Sequence, residues 1–156
     1  MVDDQADLEE ARALLRAAGQ ATLATIFSTT GTRDRGGWPF ASLVLIAHDR
    51  DGSPLLLLSD LAEHSRNIEA DDRVSLLIDG TAGLADPLTG PRLTVLGRAR
   101  RSADASHRKG FLEAHPEAAL YADFSDFSIY HVAVDSAHLV AGFGRIQWIS
   151  AAALLD

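Results

Sequence analysis

Ten consecutive residues, Ser59-Asp60-Leu61-Ala62-Glu63-His64-Ser65-Arg66-Asn67-Ile68, gather two hydroxyls, an imidazole, a guanidinium and a carboxamide. Phosphate is bound by such a set: O–H and N–H donors with one or two cations. The four leucines at 55–58 read as a buried strand that ends where this stretch begins. Asp60 and Glu63 have the spacing of a capping box, with Ser59 as a second possible cap, so a helix is expected to open here. Its free N–H groups and positive dipole end would then lie beside Ser59, His64, Ser65, Arg66 and Asn67. His64 and Asn67 are three apart and share a helix face, whereas Arg66 joins them only in a frayed first turn. The competing reading is a capped surface helix whose polar face carries Arg and His.

Other chemistries are narrowed by what is missing. There is no cysteine, which excludes disulfides, thiolate catalysis and thiolate metal sites. No His-x-x-x-His or comparable spacing occurs, so no metal site is expected, and no Gly-x-Ser-x-Gly elbow is present. His131 and His138 have the chemistry to ligate iron, although strand histidines more often serve as polar or core residues. Gly142-Phe143-Gly144 lacks the third glycine of a dinucleotide fingerprint. It suits either a close backbone approach to a flat ligand or a plain turn. Arg98, Arg100 and Arg101 read as a salt-bridged surface or, less simply, a contact for a partner subunit. A net charge of −8 disfavours nucleic acid and anionic membrane as partners. With neither an apolar leader nor an apolar run of membrane length, a soluble cytoplasmic protein is expected.

The elements that must position these groups follow from periodicity. Residues 5–18 carry Leu8, Ala11, Leu14, Leu15 and Ala18 at helical spacing, with Gly19 as the stop. Strands are expected at 21–28, 38–47, 54–58, 73–78, 92–100 and 127–134, and residues 139–143 extend or pair with the last. Residues 29–37 and 79–90 read as loops. Residues 103–114 read as a helix broken at His115-Pro116, 117–121 as a helical turn, and 148–154 as a closing helical turn. Only one strand–helix–strand passage occurs, which argues against a doubly wound parallel sheet. A single mainly β (α+β) domain over residues 1–156 is expected, with six mostly antiparallel strands closing into a small barrel.

Five pieces in order carry a family resemblance. They are Pro39-Phe40-Ala41-Ser42-Leu43-Val44, the passage from Leu58-Ser59-Asp60 to His64-Ser65-Arg66-Asn67-Ile68, and the strand from Gly90-Pro91-Arg92-Leu93-Thr94 to Gly97-Arg98-Ala99. His115-Pro116-Glu117-Ala118 and the tail from Ala137-His138-Leu139-Val140 to Gly142-Phe143-Gly144-Arg145-Ile146-Gln147-Trp148 complete them. Together they resemble the pyridoxamine 5′-phosphate oxidase-like split-barrel flavoproteins, closest to the branch of the haem-utilisation (HugZ-type) proteins. The resemblance implies a six-stranded split barrel, a homodimer, and FMN at the subunit interface. It implies that Ala41, Ser42 and Leu43 lie against the flavin ring and that Ser59, His64, Arg66 and Asn67 contact phosphate and ribityl. Phe143, Gly144, Arg145 and Trp148 are the candidate contribution of the second subunit.

Departures from the family pattern matter equally. Phe111, His115 and Ala119 stand where true pyridoxamine phosphate oxidases place a substrate-binding tyrosine, arginine and serine. A bidentate arginine site is not replaced by histidine, so vitamin B6 oxidation is not expected. Haem-degrading relatives often carry a second, C-terminal domain, which is not expected within these residues. The resemblance thus implies an FMN-dependent oxidoreductase acting on an unknown small molecule. The alternatives are a haem-binding or haem-degrading protein and a non-catalytic flavin-binding module.

Overall fold

A computed structural model describes residues 4–29 and 34–155; part of the loop expected at 29–37 lies outside the described residues. Helix α1 spans Asp4–Ala17, and the strands are β1 (Gln20–Ile26), β2 (Pro39–Leu45), β3 (Ala47–His48) and β4 (Pro54–Ser59). Helix α2 (Glu63–Ala70), β5 (Arg73–Asp79), β6 (Pro91–Arg101) and helix α3 (Ala105–Ala114) follow. The chain closes with β7 (Phe127–Ala141), β8 (Ile146–Ser150) and the short helix α4 (Ala151–Leu154).

All pairings are antiparallel, in the order β2-β1-β5-β6-β7-β4-β3, with β8 added to β7. β4 pairs residues 127–131 of β7, and β8 pairs residues 136–140. This is the mostly antiparallel split barrel with peripheral helices that was expected. Strand alternation sorts its faces. Ser42, Leu23, Leu76, Val95, Ala137 and Ile149 lie in one register row; all but Ser42 are buried in the main core. Each large aliphatic side chain there contributes about 1.5–3 kcal/mol by leaving water. The adjacent row, Leu43, Thr22, Leu77, Thr94, His138 and Trp148, faces outward. A second small core of Ala47, Leu55, Phe111, Ala118 and Ile129 seats α3 on β3, β4 and β7.

Three local expectations are corrected. Six strands become eight, because the second breaks between Leu45 and Ala47 and the tail adds β8. Residues 148–150 are strand rather than helix: the edge of β7 offers partners that outweigh the helix preference of the following alanines. The capping box does not form. Asp60 lies in a turn before α2 and pairs with Arg101, and α2 begins at Glu63 after Ala62 with no side-chain cap. Among the described residues no helix is long and apolar enough to cross a membrane.

Candidate functional site

β2 and β4 touch without sharing a ladder, since the hydrogen-bonded path runs between them the long way through β1, β5, β6 and β7. In that split lies an open cleft of about 290 Å³. Leu43–Leu45 of β2 form one wall and Leu57–Ser59 of β4 the other. Phe111 of α3, Tyr121 and Phe127 close an aromatic side, while His64 and Ala62 stand at the start of α2.

His64 is the polar centre of this apolar cleft. Its Nδ1 lies 3.1 Å from the Ser42 Oγ, joining β2 to α2. Burial lowers its pKa below the ordinary 6.5, so the imidazole is neutral at neutral pH. With Nδ1–H donated to Ser42, the Nε2 lone pair remains available to a ligand.

Ser59 borders the cleft, but its hydroxyl donates to the Asp126 carboxylate at 2.7 Å and accepts the Leu61 N–H at 3.1 Å. Arg66 is exposed and pairs with Glu63 at 3.5 Å. Asn67 is buried and donates to the Thr25 Oγ1 at 3.0 Å, because its face of α2 packs on β1. Ala41 lies on the outward face of β2, like Leu43. The fold therefore brings Ser42, Leu43, Ser59 and His64 together, with Asn67 behind them and Arg66 on the solvent side.

The tail residues lie elsewhere in the chain. Four strands separate β8 from β2. Gly142 and Gly144 adopt φ of 103° and 78°, conformations that favour glycine, and turn the chain through the 79% exposed Phe143. Arg145 Nε donates to Asp7 Oδ1 at 2.9 Å, and its Nη2 reaches both Asp7 and Glu10 of α1. Trp148, 62% exposed, packs its ring 4.8 Å from that of His138. His115 is structural: its Nε2 donates to the Ile46 carbonyl at 2.7 Å where β2 ends. Arg98 and Arg100 both pair with Asp72, and Arg101 joins Asp60 of the turn to Glu69 of α2. The three arginines thus form the expected salt-bridged surface. The resemblance placed Phe111 at a substrate-binding position, but Tyr121 and Phe127 were missed, because they come from other elements with no common spacing.

The family model described as "CREG, beta-barrel" matches residues 3–155. The chain belongs to the CREG beta-barrel family. Among proteins similar to this CREG beta-barrel chain is the non-canonical haem oxygenase HOZ, chloroplastic, of Arabidopsis thaliana, 37% identical over 109 residues. That match covers 68% of this chain and 33% of the relative, so the chain spans about a third of that protein's length. The structure of a haem-binding protein from Mycobacterium smegmatis is similar with a TM-score of 0.85 and 34% identity, over 95% of this chain and 59% of that one. A putative pyridoxamine 5′-phosphate oxidase from Listeria innocua shares the fold, with a TM-score of 0.64 and 15% identity over 85% of this chain and 97% of that one.

Proposed function

We propose that this chain is a haem-binding protein of the haem-utilisation type, with the porphyrin held in the cleft between β2 and β4. The observation that carries the reading is the neutral, half-buried His64, oriented by Ser42 within a mostly apolar cleft. A neutral imidazole is an iron ligand, and apolar walls suit a flat macrocycle. The names of a curated relative and of a structural neighbour, both above 30% identity, point the same way. When bound, haem would supply the redox chemistry of its iron. The chain's own work is to present His64 Nε2, to fix the ring through Ser42, and to exclude water with Leu57, Phe111 and Phe127. Haem degradation by this chain is part of the same proposal.

FMN in the same cleft, with oxidoreductase chemistry, is the second reading. It is favoured by the uncapped start of α2 beside Ser59 and by the shared fold of a putative pyridoxamine 5′-phosphate oxidase. The donor set fits a phosphate less well than it fits haem. Asp126 already takes the Ser59 hydroxyl, and the Glu63 carboxylate stands in the first turn. A homodimer belongs to both readings: Leu43, Leu77 and Trp148 line up on one outward sheet face, where a second copy would cover them.

Titration of the purified protein with haemin decides between the readings. A saturable Soret band at one equivalent per chain is expected, with His64→Ala weakening binding about tenfold or more. Absence of the band, or full affinity in His64→Ala, overturns the assignment. FMN released from the native protein on denaturation favours the second reading. For the dimer, Leu77→Glu is expected to shift the mass measured by light scattering to that of a monomer. A wild-type protein that is monomeric at every concentration removes that proposal.

A further inference from the structure

Away from the cleft, three side chains far apart in sequence converge on one point. Asp49 sits in the turn between β3 and β4, His107 in α3 and His131 in β7. Their ligand atoms all lie within 4.8 Å of one another. The Asp49 Oδ2 is 3.0 Å from His107 Nε2 and 4.0 Å from His131 Nε2. The two imidazoles are stacked, with centroids 5.1 Å apart and planes 12° from parallel. We propose that Asp49, His107 and His131 form a binding site for a divalent transition-metal ion of the zinc class.

Geometry and chemistry agree on that class. Ligand atoms about 2.0–2.1 Å from a tetrahedral zinc lie roughly 3.3 Å from one another, between the two spacings seen here. Two imidazoles and one carboxylate, with no thiolate in the chain, suit Zn²⁺, Co²⁺, Ni²⁺ or Fe²⁺ over Ca²⁺ or Mg²⁺. The surrounding groups already aim the ligands. The Arg50 N–H occupies the other oxygen of Asp49 at 2.7 Å, leaving Oδ2 turned toward the histidines. Ser102 Oγ lies 2.7 Å from His107 Nδ1, a contact that fixes the ring and, with Nδ1–H donating, frees Nε2 for a metal. Asp104 Oδ2, 3.9 Å from His107 Nε2, is close enough to complete the shell with a small movement or through a water. None of the three residues is fully buried, so an ion has a route in and a solvent-facing position remains open. A plain charge pair explains His107 beside Asp49, whereas the spacing of all three ligand atoms, with His131 Nε2 also 4.0 Å from Asp49 Oδ2, is what an ion could bridge.

The site has a position from which to act on the cleft. His107 and Phe111 are four residues apart on α3 and so share a face, and Phe111 lines the cleft. An ion joining α3 to β7 and the β3–β4 turn would stiffen that wall.

The test uses haem-free protein dialysed against a chelator and then titrated with Co²⁺ and Zn²⁺, which separates it from the haem proposal. One ion per chain is expected, with ligand-field bands for Co²⁺ and a saturable calorimetric signal for Zn²⁺. Asp49→Asn and His107→Ala are each expected to weaken binding about tenfold or more, while His138→Ala leaves it unchanged. Circular dichroism checks that each variant folds, and His131→Gln serves where His107→Ala does not. Absence of stoichiometric binding, wild-type affinity in the folded triad variants, or equal loss in His138→Ala overturns the site.

Discussion

His64 joins a strand to a helix and presents a nitrogen to an apolar cleft, so its protonation state governs what the cleft can hold. Burial favours the neutral ring and moves its pKa below 6.5. Iron ligation needs that neutral form, so haem affinity is expected to stay level from pH 8 to about 6.5 and to fall only below it. Soret titrations across pH, with His64→Ala as the flat reference, check this. Ser42 and His64 could each be singled out from local sequence, but their contact could not. They are 22 residues apart, and only the packing of α2 on the sheet brings them together. Asn67 shows the reverse: correct helical spacing placed it beside His64, but its face of α2 is the one buried on β1. Arg145 was free to choose any acidic partner on paper and is held by Asp7, 138 residues away.

At the scale of elements, β6 carries a register shift between Leu96 and Gly97. A Cβ at Gly97 would stand 2.6 Å from the Ala133 carbonyl and 2.8 Å from the Val132 side chain. Both strands are central, so relief requires the β6–β7 ladder to part. Gly97→Ala is expected to destabilise the fold by about 1–3 kcal/mol, measured by urea denaturation. A loss below 0.5 kcal/mol would mean that β7 yields easily. Most strands were legible because alternation of buried and exposed residues is a local property. The break after Leu45 was not, since Ile46 continues the apolar run. The strand breaks where its partner changes: β2 pairs β1 as far as Leu45, Ala47 pairs β4, and Ile46 between them is held by Gly19 and His115. β8 was hidden for a similar reason: its five residues pair with an edge that only the folded β7 supplies.

For the whole molecule, acid stability follows from two histidines. Burial lowers the pKa of both His48 and His64 below 6.5. The unfolded chain then binds more protons than the folded one at pH values below about 6.5. Their contribution is complete above that value and is lost as pH falls toward the depressed folded pKa values, so the thermal midpoint should decline on acidification from pH 7 to 5. His48→Gln combined with His64→Gln is expected to flatten that decline. A profile with the same slope in the double variant would assign acid sensitivity to other groups. A second prediction concerns the α1 anchor. Arg145→Ala leaves Asp7, 1% exposed, without its guanidinium. The loss is expected as a lower denaturant midpoint, smaller than for a fully buried pair because Arg145 is partly solvated.

The same anchor sets an order in time. A chain emerging from the ribosome presents Asp7 138 residues before Arg145. Arg12, whose guanidinium donates to the Ala153 carbonyl at 2.6 Å and 3.0 Å, likewise waits for a partner 141 residues on. Until those later residues arrive, docking α1 would strand a carboxylate in the interior, so α1 settles after the strands it packs on. An interrupted product would leave Leu8, Ala11 and Leu15 uncovered. That apolar stripe is what chaperones and proteases recognise, and the ion pair thereby becomes a check that synthesis has passed Arg145.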